Sequence, residues 1–76
     1  MFEIERQICE APDICVIVQY STHEKRAHIA RFENEDGETI AHPGQDEFRR
    51  ILAENFEEVA GAVSDCYEEA EKALKK

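Results

Sequence analysis

Apolar side chains recur at alternate positions through the first 44 residues of this 76-residue chain and at every third or fourth position afterwards, with Pro43-Gly44 at the change. A period of two is that of a strand with one buried face, and a period near 3.6 is that of a helix with one apolar stripe. The chain therefore reads as a single domain, 1–76. Residues 1–44 form a four-stranded antiparallel β-meander, and 45–76 form one long amphipathic C-terminal helix packed on one face of the sheet. The fold class is α+β.

In the first strand, about residues 2–10, Phe2, Ile4 and Ile8 alternate with Glu3, Glu5 and Gln7. Ala11-Pro12-Asp13 ends it, because proline carries no ladder donor and Asp favours turns. Residues 14–20, Ile-Cys-Val-Ile-Val-Gln-Tyr, are mostly β-branched and apolar, as in an interior strand covered on both faces. A three-residue loop over 11–13 sets Ile8 opposite Val16, Ile4 opposite Tyr20, Arg6 opposite Val18 and Cys9 opposite Cys15. Residues 21–25 are the next turn and 26–33 the third strand. Asn34-Glu35-Asp36-Gly37-Glu38 is the strongest turn signal, with Gly37 in the left-handed position. A loop over 35–37 pairs Phe32 with Ile40 and leads into a short strand, 38–42.

In the helix, Asp46 and Glu47 fall in the first turn and Lys72, Lys75 and Lys76 in the last, each of the sign that suits the helix dipole. Leu52, Phe56, Val59, Val63, Cys66, Ala70 and Ala73 follow a four-three spacing and form the core or dimer stripe, which Phe48, Tyr67 and Leu74 widen. The other side carries Glu47, Glu54, Glu58, Asp65 and Glu69, with Glu57 and Glu68 on its shoulder. Residues 51–71 hold seven acids and no Lys or Arg. At 1.5 Å per residue a helix over 45–75 runs about 45 Å, against about 27 Å for an eight-residue strand. It should overhang the sheet, unless it breaks near Gly61, the one poor helix former within it. An overhanging stripe that thins to Ala70 and Ala73 suits a second copy, which favours a homodimer; the alternative is a bent helix on its own sheet. Gly61 serves either such a bend or the close approach of a partner's backbone.

The chain carries 18 Asp and Glu against 9 Lys and Arg, a formal charge of -9. That sign repels nucleic acid and anionic lipid, so neither is an expected direct partner. With no long apolar run and no basic-then-apolar leader, a cytoplasmic location is expected. Cys9, Cys15 and Cys66 read as reduced thiols. Cys9 and Cys15 with His23, His28 and His42 offer zinc ligand types, but their spacing fits no standard site and small hydrophobic packing accounts for the thiols. No metal and no cofactor is implied. The carboxylates lie on solvated faces that do not split their pKa values, and so small a core leaves little room for a substrate pocket; an enzyme is the least favoured class. Ile17, Ala27 and Ile29 make a minor apolar group on the outer sheet face.

Like-charged neighbours on one helix repel by a few tenths of a kcal/mol per pair, roughly the amount an ion pair would contribute, so their accumulation points to an electropositive partner that offsets them. Under this reading Glu54, Glu57, Glu58, Asp65, Glu68 and Glu69 contact a basic, nucleic-acid-binding surface of a partner protein. Glu33, Glu35, Asp36 and Glu38 at the hairpin tip form a second negative patch. In size, charge and organisation the chain is similar to small phage-encoded inhibitors of restriction or CRISPR nucleases, a likeness of kind that rests on no motif and brings no residue roles with it. It implies a viral protein that acts by nucleic-acid mimicry. The alternatives are a homodimeric structural or adaptor protein that uses the apolar helix overhang, and a small metal or redox protein that uses Cys9, Cys15 and a histidine.

Overall fold

A computed structural model describes residues 2–74. Four antiparallel strands, β1 (Phe2–Glu10), β2 (Asp13–Ser21), β3 (Arg26–Glu33) and β4 (Thr39–Ala41), pair in chain order in one open sheet. Two helices follow, α1 (Asp46–Glu54) and α2 (Phe56–Leu74), and close over one face. The α+β meander-and-helix architecture expected from the change of period is the one observed. Ile4, Ile8, Ile14, Val16, Val18, Tyr20 and Phe32 point inward from the sheet, and Phe48, Ile51, Val59, Ala62, Cys66 and Ala70 meet them from the helices. Phe32 and Phe48 pack with ring centroids 4.8 Å apart, which anchors α1.

The registers depart from expectation by single residues. Along β1, Phe2 faces Tyr20, Ile4 faces Val18 and Arg6 faces Val16; the irregularity between Gln7 and Cys9 then sets Cys9 against Ile14. A bulge inserts one residue without changing the strand's composition, so alternation alone does not reveal it. Cys9 packs against the core, whereas Cys15 sits opposite Gln7 on the outer face. The two thiols therefore lie on opposite faces and do not form a shared site. A second irregularity follows Ile17, which faces Arg31 while Val18 faces Ile29. Ala30 is the extra residue, and it turns Ala27 and Ile29 inward to pack against the core, dissolving the expected outer patch. Ile17 alone stays on that face, 2% exposed, between Glu5 and Arg31 on the adjacent strands. At the third hairpin Phe32 pairs with Ala41 and Glu33 with Thr39, so Ala41 is buried in the place expected for Ile40. The Asn34 side-chain oxygen accepts from the backbone N–H groups of Asp36 and Glu38 and holds that turn.

The helix breaks at Asn55, not at Gly61. Asn55 has φ -127° and ψ 32°, and its side-chain amide donates to the Ile51 carbonyl at 3.0 Å. This nearly matches lengths: nineteen residues of α2 span about 28 Å, close to the nine-residue strands beneath it, and only the last turn, with Ala73 and Leu74 exposed, is left uncovered. The break also rotates the stripe. Val59, Cys66 and Ala70 enter the core, joined by Ala62, and Leu52 and Val63 pack at its edge, but Phe56 is 63% exposed and Ala73 is exposed. Lys75 and Lys76, expected in the last turn, lie outside the described residues. No helix is long and apolar enough to cross a membrane among the described residues.

Candidate functional site: the acidic face of the second helix

α2 lies over β1, β2 and β3 with one side buried. Cys66 is fully buried over β2, its Sγ 3.7 Å from the Val18 carbonyl oxygen. Rotation by 100° per residue then sets Glu58, Asp65 and Glu69 on the flank above β1, and Glu57, Gly61, Ser64 and Glu68 on the outward side. Glu57 and Glu58 also occupy the first turn, where a negative charge suits the exposed N–H groups.

The six acids expected to act together divide into two groups. Glu69 is paired to the Arg6 guanidinium, which reaches up from the inner face of the edge strand β1 to the helix flank. Glu54 closes a helical pair with Arg50, which also holds Glu47. These two acids are engaged by cations of the same chain while remaining about half exposed. Spacing between the acids could not reveal this, because both cations lie outside residues 51–71. Glu57, Glu58, Asp65 and Glu68 are exposed and take no ion-pair partner among the described residues. Glu57 and Glu68 stand about 16 Å apart along the axis, and Glu58 and Asp65 about 10 Å. Between the outward pair lie Gly61 and Ser64, and nothing stands within 4 Å of where a Gly61 side chain would project. The result is a shallow saddle with bare backbone at its centre and a carboxylate at each end.

The hairpin-tip patch is weaker than expected. Glu33 is paired with Arg31 at 2.7 Å and its side chain is 12% exposed, while Glu38 takes a long contact from Asn34. Glu35 and Asp36 remain exposed at the tip.

Cys15 and Cys66 are held toward the protonated thiol by their surroundings. Burial pushes the Cys15 thiol up, and the carboxylates of Glu5, Asp13 and Glu33 push the same way. Burial also raises Cys66, with Glu69 adding to the shift and Arg6 opposing it. A nucleophilic or metal-binding cysteine needs the opposite, a neighbourhood that favours thiolate. Among the described residues no three His, Cys, Asp or Glu side chains converge as metal ligands.

One further feature escaped sequence reasoning. At the C-terminal end of α2, Tyr20, Thr22, Lys25, Tyr67, Glu71 and Leu74 line an open cavity of about 380 Å³. The Tyr20 hydroxyl donates to Glu71 at 2.9 Å, and Tyr67 meets the Tyr20 ring edge-on at 5.8 Å. Its members come from β2, the following turn and the helix end, so no local motif announces it. Compared with family models, curated proteins and solved structures, the chain matches none.

Proposed function

We propose that this chain is a small acidic interaction module whose outward α2 face, Glu57, Glu58, Asp65 and Glu68, occupies a basic, nucleic-acid-binding surface of a partner protein. Its action would be that of a phage-type inhibitor of restriction or CRISPR nucleases. The observation that carries this reading is the four exposed carboxylates without ion-pair partners among the described residues, held on a helix that is packed against three strands. A fixed row of negative charge can replace phosphates on a basic groove, releasing their counterions and steering association. The saddle at Gly61 admits a partner loop close to the helix backbone.

The test is capture from host lysate with wild-type protein beside a Glu57→Gln, Glu58→Gln, Asp65→Asn, Glu68→Gln variant. The expected partner binds wild type, is released by added duplex DNA and by salt, and ignores the variant. A partner retained equally by both proteins, or indifferent to DNA, would sink the mimicry reading.

A further inference from the structure

Beside its buried side, α2 carries a second apolar stripe. Phe56, Ala60, Val63, Tyr67 and Leu74 fall within an arc of about 60°, spaced by fours and threes or their sum, with no charged residue in that arc. Of these, Phe56 is 63%, Leu74 53% and Tyr67 44% exposed. Four-three spacing is the period of a seam between two paired helices. This stripe lies above β3, on the side away from Glu58, Asp65 and Glu69, and β4 is too short to cover it, since it pairs only with Phe32 and Glu33.

The two ends of the stripe are unlike and complementary. At the start of α2, Phe56 projects into solvent. At the other end, about 20 Å along the axis, the cavity of about 380 Å³ opens between Tyr67, Leu74 and the β2–β3 turn. Lys25 stands on its rim, held there by a left-handed backbone (φ 56°), and has no ion-pair partner among the described residues. Glu57, next to Phe56, is likewise exposed and unpaired among them.

We infer that this stripe is a homodimer interface in which two α2 helices pack antiparallel about a two-fold axis near Val63, each Phe56 seated in the other copy's cavity and each Glu57 facing the other copy's Lys25. A two-fold interface must be complementary to itself, residue i meeting j while j meets i. Projection and cavity, and acid and base, supply both halves of that requirement on one chain, so the occupant is a second copy. Ala60 near the axis lets the backbones approach. Glu58, Asp65 and Glu68 stay outside the seam, whereas Glu57 belongs both to it and to the proposed partner-binding face, and the dimer is read by sedimentation of the protein alone with no partner present.

Sedimentation velocity over a protein concentration series tests it, first at about 0.5 M NaCl, where repulsion between two chains of charge -9 is screened. Wild type is expected to pass from monomer to dimer, and Phe56→Ala to weaken association at least tenfold with an unchanged circular dichroism spectrum, since Phe56 lies outside the core. At about 0.1 M NaCl, Lys25→Glu should weaken the dimer and the Lys25→Glu, Glu57→Lys double variant, whose net charge equals wild type, should restore it. A wild-type monomer at every concentration, an unaffected Phe56→Ala dimer, or a double variant as weak as Lys25→Glu overturns the inference.

Discussion

Residues whose position shapes both stability and chemistry here are the buried protonated ones. Tyr20 is 2% exposed, and burial first, then its hydrogen bond to Glu71, raise its pKa above the ordinary 10.0. Cys15 and Cys66 are raised above their ordinary 9.0. In all three the folded state favours the protonated form, so their stabilisation is complete below the unfolded values and is lost as pH rises through the folded ones. Thermal melts should hold level toward pH 9 and fall beyond it. Tyr20→Phe should lower the midpoint by a few degrees at neutral pH, through loss of the bond to Glu71, and make the alkaline decline shallower. An alkaline decline identical in the two proteins would remove Tyr20 from the explanation.

Glycines give the sharpest contrast at the level of elements. Gly61 is helical with open space around it, so Gly61→Ala should stabilise the protein by about 0.5–1 kcal/mol in urea denaturation. Gly44, at φ 95°, should lose stability as alanine despite equally open space, because the left-handed backbone and not crowding opposes the side chain. The same contrast explains what was legible in the sequence. Strand spans and the extent of the helical half followed from period, and hydrophobic alternation found the core positions of β1 and β2, but the division of that half into two helices did not follow. Registers did not follow, because the irregularity after Gln7 and the extra residue at Ala30 each move a strand by one residue at no compositional cost. Gly61 drew attention as the poorest helix former, yet the helix runs through it. Asn55, an unremarkable residue by propensity, makes the break by turning its amide back to Ile51. Of the candidate site, the acidic face could be read but its internal pairing could not: Arg6 reaches Glu69 across 63 residues of chain.

Charge sets the behaviour of the whole molecule. A domain of net charge -9 repels itself when compact, and its cross-element ion pair, Arg6–Glu69, is half-exposed and worth at most about 1 kcal/mol. Adding salt up to about 0.5 M should therefore raise the thermal midpoint, the reverse of what a fold held by surface ion pairs would show. A midpoint that falls with salt would mean that Arg6–Glu69 and its like outweigh the net repulsion. The same addition should weaken capture of the basic partner proposed above, so the fold and the proposed interaction should respond to ionic strength in opposite directions.

The order of elements along the chain also bears on biosynthesis. The meander is translated first, and its inner face is apolar from Ile4 to Phe32, while Val59, Ala62, Cys66 and Ala70, which shield that face, belong to the last described helix. On a ribosome the sheet residues emerge with only Phe48 and Ile51 of α1 to cover them until α2 has cleared the exit tunnel. A nascent chain stalled after α1 would present a largely uncovered apolar sheet, a natural client for chaperones that greet new polypeptides.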